Sequence, residues 1–419
     1  MVASRKVVTI FSLLTVTSLA MAAQAETRWP RWRGPNGDGH SAEAELPVKW
    51  DDDDVAWKTP LPGVGESSPV IWDEKIFLTA AENGGRQRSV LCLDRRDGRL
   101  LWKQTIEFDG QPEELHKMNT FASPTCVTDG EVVIAFFGRA GLHAFSLDGE
   151  LLWSNDLGTF DNPWGVGASP VLVGGLVIQN GDADSDAFLA AYDKQTGKTV
   201  WRVKRPDHRG WSTPILLNVD GRQELVLNGH EGVTAYEPAS VEQLWFCASF
   251  NGRGEPTATP GGGLVYLVNG LAGDIYAVKP GGKGDVTKTR MAWHTPRKSR
   301  RDLPSPIMID PYLLVTSMEG LATCYQASNG EVLWQERLGG NFSASPMAAV
   351  GLAYFLSEDG SVLVVKPGPR FEAVARNKIN AEGDEVFRAS PAPCEGQLFL
   401  RSDRALYCIG RRLDATAAK

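Results

Sequence analysis

A short segment of a small residue, Ser or Thr, then Pro returns eight times along this 419-residue chain, with its proline at Pro69, Pro124, Pro170, Pro214, Pro260, Pro306, Pro346 and Pro391. A second landmark, an apolar pair ending in Trp, recurs at Trp57, Trp102, Trp153, Trp201, Trp245, Trp293 and Trp334, and AVARNKI around Val374 stands in for an eighth. Between the landmarks each unit reads as three short strands, SSPVIW, KIFLTA and VLCLD in the first, filled by apolar and β-branched residues and separated by Gly, Asp and Asn. A four-stranded unit of about 45 residues is a propeller blade. The chain is therefore expected to be all-β, an eight-bladed β-propeller of four-stranded antiparallel blades.

The phase of the repeat says how the ring closes. The chain starts with a lone Trp strand, VAWKTPL, and ends with a unit of three strands that lacks one. The first strand must complete the last blade, which pairs the two ends inside one sheet and leaves no open edge at the seam. Trp57 should then share a blade with the segment from Pro391 to Ile409.

Ahead of the ring, Arg5 and Lys6 precede an apolar run from Val7 to Ala20 and an Ala23-Gln24-Ala25 site of small-x-small type, the pattern of a secretory signal peptide cleaved after Ala25. The organisation read from this is a signal peptide over 1–25, an N-terminal extension over 26–50, the propeller over 51–412 and a tail over 413–419. No Cys lies near the cleavage site to take a lipid, and no later stretch is apolar for long enough to span a membrane. A free periplasmic or secreted monomer is expected. The net charge, −8 for the whole chain, becomes more negative once the signal leaves, which argues against a nucleic-acid partner.

One unit contains LAAYDKQTGKTVW, and Ala191, Asp193, Thr196, Gly197 and Trp201 in it resemble the tryptophan-docking repeat of the pyrroloquinoline quinone (PQQ) propeller superfamily; LCLDRRDGRLLW and TCYQASNGEVLW are weaker copies. That superfamily includes the quinoprotein alcohol dehydrogenases and the outer-membrane assembly factor BamB. The indole must lie flat, so the facing position needs a small side chain, and the equivalent residues are Cys92, Ala144, Ala191, Ala235, Ala277, Cys324, Val364 and Cys408. Three of the six cysteines thus take a slot otherwise held mainly by Ala, and buried free thiols are expected in preference to bridges. The leader WPRWRGPNGDGHS (29–41) is similar to the opening of PQQ-like propeller proteins of planctomycete-type bacteria, and its two tryptophans should pack onto the ring as a clamp, with docking of a partner as the alternative role.

In a propeller the loops entering the innermost strands ring one mouth of the central channel. Here they are rich in aromatic, Arg and Asn side chains, and the candidate ligand-binding residues are Asn119, Trp164, His208, Arg209, Trp211, Arg253, Arg300, Asn341, Phe342 and Arg388. Stacking faces beside guanidinium forks suit a flat or anionic small molecule or an extended peptide of a partner protein, although the same residues could simply plug the channel. Asp182, Asp184 and Asp186 alternate as in a calcium loop, but Ala187 stands where a Gly would follow, and an acidic turn explains them equally. The six histidines have no ligand spacing.

Two functions follow from the resemblance. A quinoprotein oxidoreductase acting on alcohols or sugars would need PQQ, a calcium ion and commonly an adjacent Cys pair over the cofactor. The chain has no Cys-Cys pair and is short of those enzymes. The other reading is a non-catalytic binding or scaffold module of the BamB kind, without cofactor. A glycan-processing propeller would need two paired carboxylates, and single acids such as Glu255, Asp302 and Asp384 do not declare a pair.

Overall fold

Alternation of apolar residues with Gly- and Asp-containing turns folds into short antiparallel strands throughout. The computed structural model describes residues 28–248, 250, 253–271, 273–297 and 301–413. The strands form eight sheets, all but the last built from strands that follow one another outward from the channel, as blade 1 shows with Val70–Trp72, Lys75–Glu82, Gln87–Asp94 and Leu100–Glu107. The seam is as the phase requires: Val55–Pro60 pairs antiparallel with Ala405–Ile409 as the outermost strand of blade 8, with Trp57 opposite Cys408. Blade 4 alone gains a fifth strand, Gly284–Asp285, which lies parallel to its outer strand Gln243–Ala248.

The tryptophans work by a two-sided contact. Each faces its small partner across the strand pair, Trp102 opposite Cys92, Trp153 opposite Ala144, Trp201 opposite Ala191 and Trp334 opposite Cys324. The indole then reaches the next blade, where Nε1 donates to a turn carbonyl: Trp57 to Arg95 at 3.2 Å, Trp153 to Lys194 at 2.9 Å, Trp293 to Ala327 at 2.8 Å. Beneath the ring lies the glycine of that turn. A Cβ at Gly197 would stand 2.7 Å from Trp153, so no larger residue fits. Trp245 differs, donating to the buried Glu224 carboxylate of its own blade at 2.6 Å. In blade 7, Ala375 and not Val374 faces Val364, and no indole is present; Trp50 of the N-terminal segment packs instead into the core cluster of Val364, Tyr354 and Ile409.

Around the channel the blades are joined by a ring of hydrogen bonds. The backbone N–H of a Ser or Thr in each blade donates to the side-chain hydroxyl of its counterpart in the next: Ser68 to Thr125, Thr125 to Ser169, Ser169 to Thr213, Thr213 to Thr257, Thr257 to Ser305, Ser305 to Ser345, Ser345 to Ser390, and Ser390 back to Ser68, all between 2.9 and 3.1 Å. All eight are buried. This corrects the phase of the motif in two blades. In blades 2 and 5 the ring member follows a proline, Pro124-Thr125 and Pro256-Thr257, and the slot that proline fills elsewhere holds Cys126 and Ala258; Pro124 and Pro260 are not equivalent to the others. All six cysteines are buried and unpaired.

The N-terminal segment is a strap across the end of the channel opposite the mouth. Trp29 exchanges two backbone hydrogen bonds with Ile71 of blade 1, the Pro30 carbonyl accepts from Thr128 of blade 2, Arg33 donates to the Pro306 carbonyl of blade 6, and Gly39 and Ser41 bracket Ala348 of blade 7. The strap thereby covers inner strand edges that would otherwise be bare. It continues past blade 8, where the Glu43 carboxylate accepts from the N–H groups of Glu395 and Gly396.

Trp57 holds the seam, so Trp57→Ala should lower the unfolding free energy by about 3 kcal/mol while leaving a single cooperative transition in denaturant. Loss of well under 1 kcal/mol would mean the seam does not depend on it.

Candidate functional site

The mouth is assembled from loops that the fold fixes one upon another. The 108–121 excursion is pinned from below by Arg88, which is wholly buried, donates twice to Glu113 at 2.9 and 2.7 Å, also donates to the carbonyls of Gly85 and Phe137, and lies against the rings of Phe108 and Phe121. That loop carries His116, Met118 and Asn119. The Asn119 amide donates to the carbonyls of Trp164 at 2.7 Å and Val166 at 3.2 Å, and the Trp211 indole donates to the Gly165 carbonyl at 2.8 Å. Trp164 and Trp211 therefore stack, with centroids 5.8 Å apart and planes 15° from parallel.

Three guanidiniums share the Trp164 ring: Arg253 at 4.4 Å, Arg209 at 4.9 Å and Arg301 at 5.7 Å. Their partners differ. Arg209 is taken by Asp184, through Nε at 2.9 Å and a second contact from Nη2. Arg253 is only 3.9 Å from one oxygen of Glu255, and Arg301 has a buried Nε with no hydrogen-bond partner. On the far side of the channel Arg388 bridges Glu66 at 2.9 Å and Glu358 at 3.1 Å.

Burial raises two acids here, Glu66 and Glu255. Glu255 is 7% exposed, its Oε2 has no hydrogen-bond partner, and burial pushes its carboxyl up to about 7 against the opposing pull of Arg301 and Arg253. It borders two cavities. One, about 190 Å³, is the channel itself, walled by ring hydroxyls such as Ser68, Ser169 and Ser390 and floored by Trp32 of the strap. The other, about 140 Å³, lies between Trp164, Trp211, His116, Met118, Arg301 and Leu303.

Of the residues singled out from the sequence, Asn119, Trp164, Arg209, Trp211, Arg253 and Arg388 meet at this mouth. His208 does not: its ring stacks on His230 at 3.4 Å beside a separate crevice of about 260 Å³ between blades 3 and 4, backed by Arg205 and Asp182. Phe342 is core, packed with Leu338 and Ala322, and Asn341 is exposed with its carbonyl accepting from Glu358 and Ser357. Arg300 lies outside the described residues. Glu66 gave no sequence signal, because an isolated residue outside the expected loops leaves no pattern; Trp32 was expected to pack onto the ring but not to line the channel, and Glu255 and Arg301 stood in the expected loops but only as single charges.

The residues do not fit calcium-bound PQQ. Asp182 pairs with Arg205 and Asp184 with Arg209, so the alternating acids form a salt-bridged turn and not a cation loop. Asp302 is held by both terminal nitrogens of Arg297, at 2.7 and 2.9 Å. Among the described residues no three His, Cys, Asp or Glu side chains converge as a metal site. The one buried carboxylate oxygen without a hydrogen-bond partner among the described residues, on Glu255, faces guanidiniums, a poor place for a divalent cation. Both central cavities fall below the roughly 300 Å³ at which small-molecule pockets begin.

Glu255→Gln tests the electrostatics. The carboxyl is raised in the folded state from 4.5 to about 7, so its contribution to stability is complete below about 4.5 and is lost as pH climbs to 7. Gln cannot titrate. The drop in unfolding free energy between pH 5 and pH 8 should shrink by ~2 kcal/mol in the variant; an unchanged pH profile would show that Glu255 ionises freely.

Comparison with known proteins agrees with this architecture. The family described as outer membrane protein assembly factor BamB matches residues 41–181, 86–253 and 272–367. BamB of Yersinia pestis is 26% identical over 237 residues, 56% of this chain and 54% of that protein. The quinohemoprotein alcohol dehydrogenase ADH-IIG of Pseudomonas putida is 28% identical over 154 residues, 35% of this chain and 21% of that one. The chain thus spans about half or less of the length of these curated relatives. The crystal structure of BamB from Moraxella catarrhalis has the same fold, with a TM-score of 0.61 at 15% identity over 85% of this chain and 98% of that chain. With the matched segments spanning most of its blades, the chain belongs to the PQQ-like propeller family described as outer membrane protein assembly factor BamB.

Proposed function

We propose that this chain is an exported, non-catalytic propeller that works as a monomeric binding module, holding a partner protein at the channel mouth. The observation that carries the reading is the pairing of the mouth acids: among the described residues Asp184, Glu66 and Asp302 each face an arginine and Glu255 stands singly, which leaves no two free carboxylates for acid–base work and no oxygen cage for a metal. What remains is a rigid aromatic and cationic surface, the composition that protein interfaces favour. A relative named as an assembly factor supports this direction. Export rests on the signal pattern in residues 1–25, which lie outside the described residues; no described helix is long and apolar enough to cross a membrane.

The second reading, a quinoprotein oxidoreductase, draws on the relative named as a quinohemoprotein alcohol dehydrogenase and on the anion-attracting mouth. Calorimetric titration of the purified protein with PQQ, with and without calcium, separates the two. No saturable binding is expected, and calcium-dependent saturation would replace the binding module with the enzyme. In parallel, a photo-crosslinker at Lys117, exposed on the rim, should capture a discrete protein in cells. The same group at Glu131, in the first turn of blade 2 on the opposite face, should not. Capture from Glu131 alone would put the partner on the wrong face for this reading.

A further inference from the structure

The charges at the mouth do not balance, and the imbalance is local. Arg209 is met by Asp184, Arg297 by Asp302, and Arg388 by Glu66 and Glu358. Arg253 and Arg301 share what is left, a single buried carboxyl that approaches one of them no closer than 3.9 Å and leaves its own Oε2 unbonded. A second group reports the same field: His116, beside Trp164, is held below its usual range by burial and then by Arg301, Lys117 and Arg388. The chain as a whole is acidic at −8, so this positive well is a focused feature and not a general one.

We infer that the mouth receives a carboxylate side chain from an extended acidic segment of the partner protein, gripped by Arg253 and Arg301 in front of Trp164. This rests on the binding-module reading above. The adjoining cavity, about 140 Å³, is the size of one side chain and not of a cofactor. Its walls suit a Glu or Asp: Met118, Leu303 and Trp211 take the methylenes and Arg301 offers a forked donor to the carboxylate, while Arg253 stands just outside the wall, 4.4 Å over the Trp164 ring. The Glu255 carboxyl in the same wall disfavours a dianion, so a carboxylate fits this place better than a phosphate.

The probe is a blocked pentapeptide with a central glutamate between apolar residues, titrated into the purified chain and followed by calorimetry and tryptophan fluorescence. Saturable binding is expected, with the glutamine counterpart at least about tenfold weaker, as loss of a charge-assisted contact implies. Arg253→Gln and Arg301→Gln should each weaken the glutamate peptide by about tenfold. Glu255→Gln should tighten it several-fold by removing the competing carboxyl, a gain that no folding defect imitates. Equal affinity for the two peptides, or weaker binding by Glu255→Gln, overturns the inference. Displacement of the peptide by equimolar inorganic phosphate or glutarate overturns the peptide part in favour of a free-anion site. Crosslinking from Lys117 that persists while the peptide fails to bind leaves the binding module standing and ends the carboxylate claim; calcium-dependent PQQ binding ends both.

Discussion

Eight backbone N–H groups each find a hydroxyl in the next blade, and the rest of the molecule hangs on that closed circuit. A propeller places the start of every innermost strand close to its axis, where backbone donors would be buried without partners at a cost of about 1–3 kcal/mol each. A Ser or Thr at this point satisfies its neighbour's donor and offers its own to the following blade, so the pattern is self-consistent only when it returns to its origin. Ser390 donating to Ser68 is that return, and it fixes the number of blades as firmly as any packing term. At the outer radius the tryptophans repeat the logic, six of the seven indoles spanning to the next blade's turn.

Departures from the repeat sit where the chain does something else. Trp245 turns inward to Glu224 in the blade whose outer edge carries the additional strand Gly284–Asp285. Blade 7 has no tryptophan of its own, and Trp50 from the strap fills the junction with blade 8. The floor of the channel is likewise borrowed from the strap, through Trp32. The N-terminal segment is in this sense a structural component of the ring, contributing to five of the eight blades.

Much of the fold was legible in the sequence because it is periodic: strand number, blade number, the seam at Trp57 and the small residues facing the indoles all follow from counting. The phase was misread at Pro124 and Pro260, since a proline adjacent to Ser or Thr marks the motif without saying on which side the hydroxyl falls. The mouth was legible in composition and only partly in membership. Trp164, Arg209, Trp211 and Arg253 converge, whereas His208 and Phe342 came from the same loops and end in an inter-blade crevice and in the core. Loop path depends on anchors such as Arg88 to Glu113 and Asn119 to Trp164, which join residues distant in sequence and carry no period.

The shared eighth blade has a consequence for how the molecule comes into being. Val55 can pair with Ile409 only after every intervening blade has been made, so the first strand and the strap before it are synthesised early and find their places last. A chain emerging amino end first carries an unmatched strand for nearly its whole passage, and its contacts of greatest sequence separation form at the close. Completion of the ring is thus a single terminal event, and a chain cut short before Ala405 would fail at both of its ends at once.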